Sequence, residues 1–80
     1  MQVNILAFGI AKDIVKGSKL QLELPADATV SDLKQHLCAR FPDFEQLASL
    51  RVAVNSEYAD NSHQLGEQDE IVLIPPVSGG

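Results

Sequence analysis

The sequence predicts an α+β domain, a mixed sheet of four to five strands wrapped on one main helix. Three observations carry this. Residues 3–8 and 20–24 read as two strands, and in the second Leu20, Leu22 and Leu24 alternate with Gln21 and Glu23, the period of a half-buried strand. Behind Thr29, the residues Val30, Leu33, Leu37 and Phe41 recur at helical spacing and form one core stripe. Ile71-Val72-Leu73-Ile74 is apolar at every position, as expected of a central strand covered on both faces.

In the opening strand Val3, Ile5 and Ala7 point one way and Asn4, Leu6 and Phe8 the other. Both sets carry apolar residues, so this strand is expected inside the sheet or against a partner. Gly9 ends it. Residues 10–17 are expected to form a loop or irregular turn, with Ile14 and Val15 tucked against the body. Pro25 stops the second strand, and the two strands are expected to be antiparallel across a connection longer than a tight hairpin. Thr29 is a good helix N-cap, and Asp32 three residues on makes a short capping box. Asp27 and Asp32 also suit the positive end of the helix dipole. Pro42 ends the helix at Phe41. Residues 43–50 read as a connector with room for one helical turn, anchored by Phe44, Leu47 and Leu50. A third strand follows over residues 51–55. Asn55-Ser56-Glu57 reads as a turn, Tyr58 lies on a short return strand, and Leu65 pins a polar, acidic loop over residues 60–69.

Eighty residues make one domain. It is expected over residues 1–76, with residues 77–80 as a flexible tail. At this size roughly 60% of the unfolded surface is buried, so the core must be regular. A net charge of −5 and a pI near 4.7 argue against nucleic acid, which needs a basic face, and against an anionic membrane surface. They suit a basic protein partner. The N-terminal residues carry no basic segment and no stretch approaches a membrane span, so a cytoplasmic chain is expected.

Little in the body points to chemistry. Cys38 is the only cysteine, which excludes an intramolecular disulfide. Its place beside the helix stripe reads as a buried small apolar side chain rather than a nucleophile. His36 and Cys38 are two apart on a helix and face different ways, and His63 stands alone in a polar loop, so no metal site is expected. No serine–histidine–acid set or phosphate loop is visible.

The chemistry is expected in the last six residues, Pro75-Pro76-Val77-Ser78-Gly79-Gly80. The proline pair stops the preceding strand from pairing further and starts the tail in a stiff, extended direction. Gly79 and Gly80 lack Cβ atoms, so they and a terminal carboxylate fit a tunnel too narrow for side chains. Four extended residues from Val77 reach about 13 Å, enough to enter a partner's cleft.

This ending, after an acidic turn and an apolar strand, resembles that of the molybdopterin synthase small subunits, a family of ubiquitin-like sulfur carriers. Phe8-Gly9, Ala11-Lys12-Asp13-Ile14, Thr29-Val30-Ser31-Asp32-Leu33, Val52-Ala53-Val54-Asn55 and Asp69-Glu70-Ile71-Val72 fit the family in order. The sequence departs from it at Gln68 and at Asn55-Ser56, where the family has glycine. The resemblance implies the β-grasp fold, with first and last strands adjacent and parallel. It implies that an E1-like activating enzyme uses ATP to adenylate Gly80, that a sulfur donor displaces AMP, and that the resulting thiocarboxylate enters the large, catalytic subunit and donates sulfur to a pterin precursor. The chain binds no cofactor in this scheme and is not an enzyme on its own. Phe8, Tyr58 and Ile74 are implied to form an apolar patch facing the large subunit, and Glu67, Asp69 and Glu70 an acidic docking surface near the tail exit. The alternatives are a sulfur carrier for thiamine or cysteine synthesis, a ubiquitin-like modifier joined to lysines, and an interaction domain with a frayed end.

Overall fold

The structure is a computed structural model and describes residues 1–46 and 50–74. Leu47, one of the expected anchors, and the six tail residues lie outside the described residues.

Among the described residues, five strands make one mixed sheet in the order β2-β1-β5-β3-β4. The strands are β1 (Gln2–Ala7), β2 (Lys19–Glu23), β3 (Arg51–Val54), β4 (Glu57–Ala59) and β5 (Ile71–Ile74). β1 pairs antiparallel with β2 and parallel with β5; β3 pairs antiparallel with both β5 and β4. The wholly apolar strand is therefore the central one, and the first and last strands are parallel neighbours. The main helix α2 (Val30–Arg40) packs on one face.

The alternation in the sequence decides which face is covered. Val3, Ile5, Ala7, Leu22, Ile71 and Leu73 turn inward and are buried, and Val30, Leu33 and Leu37 of α2 meet them. Phe41 and Cys38 sit half-buried beside this stripe, so Cys38 is not the fully buried side chain that the sequence predicts; it lies at the margin of the helix face that Leu33 and Leu37 press onto the sheet. Phe44, in a 3₁₀ turn over Pro42–Gln46, is buried and meets the Phe41 ring edge-on, with centroids 6.1 Å apart.

The start of α2 is secured from two directions. The capping box forms: the Asp32 N–H donates to Thr29 Oγ1 over 3.3 Å, and the Thr29 N–H donates to Asp32 Oδ2 over 2.9 Å. The polar loop supplies the rest, because the N–H groups of Val30 and Ser31 donate to the carbonyls of His63 and Asn61. Orphan amides of the first helical turn are thus satisfied. Leu65, 3% exposed, holds the loop down.

Two expectations change. Residues 10–17 are not simply a loop: a seven-residue helix, α1 (Gly9–Val15), connects β1 and β2. Its N-cap, Phe8, has no capping side chain, its first residue is Gly9 at φ 58°, and it closes on Lys16 at φ 61°. Its start and stop signals are therefore weak, and tertiary packing of Ala11, Ile14 and Val15 on the core holds it. Second, β5 is covered on one face only. Ile71 and Leu73 are fully buried, but Val72 and Ile74 on the other face are half-buried.

Candidate functional site

The face of the sheet away from α2 is where the expected docking residues gather. Registers place its side chains in rows. Leu6 stands beside Val72, Val72 beside Ala53, and Ala53 beside Tyr58. One step toward the C-terminal end of β5, Ile74 stands beside Arg51. Because β1 and β5 are parallel and Ala7 pairs with Leu73, Phe8 lies at the level of Ile74, where residue 75 begins. Phe8 and Tyr58 are 55% and 67% exposed. Three strand spacings separate β1 from β4, so the patch is about 14 Å across. Phe8 and Tyr58 thus leave aromatic surface open on a small acidic domain, the kind of apolar exposure from which interaction sites are built.

Phe8, Ile74 and Tyr58 therefore share one face, Phe8 and Ile74 at the tail end and Tyr58 on the neighbouring row. Arg51, which sequence reasoning leaves out of the site, lays its guanidinium over the Tyr58 ring at 5.4 Å, a cation–π contact that orients the exposed ring. Ile10, 48% exposed on α1, escapes the sequence because its segment reads as a loop. Leu6 and Val72 fill the middle of the patch, and strand alternation is the signal for them.

The acidic residues sit differently. Glu67, Asp69 and Glu70 precede Ile71, so they stand at the start of β5, about 10 Å of strand away from the tail exit at its end. Asp69 is tied into the turn: its Oδ2 accepts from the Gly66 N–H over 2.8 Å and its Oδ1 from Asn55 Nδ2 over 2.9 Å. Asn55 Oδ1 in turn accepts from the Glu70 N–H, and the Asn55 N–H donates to the Glu70 carbonyl. Asp69 thus stitches the β3–β4 turn to the entry of β5. Glu67 and Glu70 remain exposed, and Glu70 borders the patch through a groove it lines with Tyr58, Val72 and Ile74.

The two departures from glycine resolve separately. Gln68 is absent from the positions of positive φ, so the acidic turn forms without glycine there. Asn55 and Ser56 both take positive φ, 53° and 71°, the mark of a type I′ hairpin turn, whose second position glycine fills best.

Among the described residues no cluster of three His, Cys, Asp or Glu is placed to hold a metal ion, and no helix is long and apolar enough to cross a membrane. Gly80 and the tail residues Pro75, Pro76, Val77, Ser78 and Gly79 lie outside the described residues.

Residues 5–80 match the model of the ThiS family. The chain belongs to the ThiS family. A relative from Arabidopsis thaliana, named molybdopterin synthase sulfur carrier subunit, is 32% identical and the match covers 100% of this chain and 84% of that protein. One of the same name from Dictyostelium discoideum is 34% identical, with 99% and 96% covered. Among solved structures, SAMP1 from Haloferax volcanii superposes with a TM-score of 0.84 at 25% identity over the whole of both chains. Subunits 1 and 2 of the molybdopterin-converting factor from Helicobacter pylori were solved as a complex, and a chain of it matches over its full length at 27% identity with a TM-score of 0.67. The ubiquitin-like β-grasp is the fold of this ThiS-family chain. The family match runs through residue 80, so the Gly-Gly ending falls inside the family pattern.

Proposed function

We propose that this chain is the sulfur-carrier subunit of a molybdopterin synthase, and that the carboxylate of Gly80 is its reactive group. One observation carries the reading: relatives named for that role align along the whole chain, and the family match includes Gly79 and Gly80. The open face beside the end of β5 supports it, since a partner docked on Phe8, Tyr58 and Ile74 would receive the tail directly.

The chemistry follows from what a carboxylate cannot do. It does not react with sulfur without a leaving group. A Gly80 oxygen attacks the α-phosphorus of ATP on an E1-like activating enzyme, pyrophosphate leaves, and an acyl adenylate forms. A sulfur donor then displaces AMP and leaves a thiocarboxylate on Gly80. That sulfur is the nucleophile delivered to a pterin precursor in the large subunit, which supplies the pocket and the acid–base and oxyanion groups. The carrier supplies reach, slimness and a docking face. The Helicobacter pylori complex supports a two-subunit arrangement.

Intact-mass spectrometry after incubation with activating enzyme, ATP and sulfur donor tests this. Wild type should gain the mass of one oxygen-to-sulfur exchange, localised to the C-terminal peptide. Deleting Gly80 shortens the reach by about 3.5 Å, and a misplacement of about 1 Å already costs on the order of 100-fold in rate. Adding one alanine after Gly80 introduces a Cβ at the narrowest point. Both variants should melt like wild type and fail to charge or transfer. Sulfur on Cys38, or full transfer by the truncated chain, would overturn the mechanism. Amide-linked adducts on lysines would instead favour a modifier.

A further inference from the structure

We propose that the open edge of β2 pairs with the same edge of a second copy, joining two sheets into one while leaving both docking faces free. Two alternations along β2 agree on this pairing. The first is hydrogen bonding. The Ala7 N–H donates to the Ser18 carbonyl and the Leu24 N–H to the Met1 carbonyl, at 3.0 and 2.7 Å. In an antiparallel ladder hydrogen-bonded pairs alternate with non-bonded ones. The even-numbered residues of β2 therefore spend their backbone groups on β1, and Lys19, Gln21 and Glu23 turn theirs to the edge, which no described strand covers.

The second alternation is charge. The same three residues are exposed, and they read basic, neutral, acidic. A two-fold axis at Gln21 sets Lys19 against Glu23 of the second copy, Gln21 against Gln21, and Glu23 against Lys19. Each of these three pairs is then a hydrogen-bonded pair, giving about six backbone bonds, and both charged pairs are of opposite sign, which stabilises a cross-strand contact. On the inner side Leu20, only half-buried in one copy, would meet Leu22 of the other. Sliding the register by two residues keeps the phase of the hydrogen bonding but leaves two pairs within the strand instead of three and breaks both charge pairs. Charges on an edge strand normally deter pairing; here their order favours one antiparallel register. The other sheet edge, β4, is three residues long and holds Glu57 without a basic residue, so it has no such self-match. The Glu23 carboxylate also lies 3.7 Å from the Met1 amine, but the Glu23 side chain is 79% exposed, so solvent screening keeps that contact weak. Two short strands bury less than a standard interface, so the association is weak and concentration-dependent. β1 separates β2 from β5, which keeps the strand that leads into residue 75 out of the contact.

Sedimentation equilibrium of the full chain, from about 10 μM to about 1 mM, is the test. Wild-type average mass should rise toward that of a dimer. Lys19→Glu or Glu23→Lys should weaken association by about tenfold or more, since each creates two like-charge pairs per dimer. The double variant should restore it. Mixing the two single variants should also restore it, because each then faces only opposite charge. Circular dichroism should show all variants folded. A wild type that stays monomeric at the highest concentration overturns the proposal, and so does a dimer indifferent to these reversals. Sulfur charging of Gly80 should be unaffected by either variant, so this result stands apart from that of the carrier mechanism.

Discussion

The two faces of the sheet are built from the same kind of residue and are buried to different degrees. Along β5 the side chains are isoleucine, valine, leucine and isoleucine; Ile71 and Leu73 are fully buried beneath α2, while Val72 and Ile74 are half-covered among Leu6, Ala53 and Arg51. Hydrophobicity alone does not separate the core from the open face. What separates them is that one helix covers one face. The other face keeps its apolar residues although polar ones would fit a solvated sheet face better, and Phe8 and Ile74 stand at the end of β5. The same contrast appears across the sheet: the outward side of β1–β2 away from the patch is polar, with Gln21 donating to Asn4 Oδ1 over 2.9 Å.

The sharpest way to break this comparison is one substitution on each side of β5. Leu73→Lys puts a charge where no water reaches, a cost of several kcal/mol against a total stability of only about 4–12 kcal/mol for a domain of this size; the variant should be unfolded by circular dichroism. Ile74→Lys, one residue away, and Phe8→Lys should fold and melt within a few degrees of wild type, while titration against the large subunit shows at least tenfold weaker binding. An unfolded Phe8→Lys would show that the exposed face is part of the core.

The next effect concerns how the covering helix is fixed. Thr29→Ala removes the hydroxyl that accepts from the Asp32 N–H, and such losses cost about 1 kcal/mol. Because His63 and Asn61 carbonyls still hold Val30 and Ser31, the loss should stay near that figure in a urea titration. A much larger drop would mean that the polar loop depends on the cap. Cys38→Ala is expected to cost a similar or smaller amount, since its side chain is only half-buried, with sulfur charging of Gly80 unchanged by intact mass.

Much of this is legible in the sequence, for identifiable reasons. The capping pattern Thr29-x-x-Asp32, the period of two through Leu20, Leu22 and Leu24, and the apolar run at residues 71–74 each express a single strong local preference, so strands, helix and core follow. Residues 10–17 do not, because Gly9 and Lys16 hide both ends of α1 and only Ala11, Ile14 and Val15 betray a helical spacing. The extent of the open face is half legible: alternation puts Phe8, Leu6 and Ile74 on one side, and a turn with a return strand is expected at residues 55–58, but the contact of Arg51 with Tyr58 depends on the register of β4 on β3, which the sequence leaves open. The acidic residues read as one group along the chain. The fold divides them, since Asp69 is held by Gly66 and Asn55 while Glu67 and Glu70 face water.

The smallest expected effect tests the open face from its backbone rather than its side chains. Asn55 and Ser56 both carry positive φ, a conformation that costs a non-glycine residue roughly 1 kcal/mol. They differ in what their side chains return. Asn55 makes two hydrogen bonds, to Asp69 and to the Glu70 N–H, whereas Ser56 contributes a groove wall beside Tyr58 and Val72. Ser56→Gly should relieve the backbone and raise stability by about 0.5 kcal/mol, partly offset by the freedom glycine gains when unfolded. Asn55→Gly relieves the same strain but gives up the two bonds, each worth about 1 kcal/mol, and should come out destabilised. Paired urea titrations give both signs. If Asn55→Gly were the more stable of the two, the Asn55–Asp69 stitch would contribute little and the acidic turn would owe its shape to β5 alone. If the signs are as stated, then the two positive-φ positions of this turn are divided between one that uses its side chain and one that only tolerates its conformation.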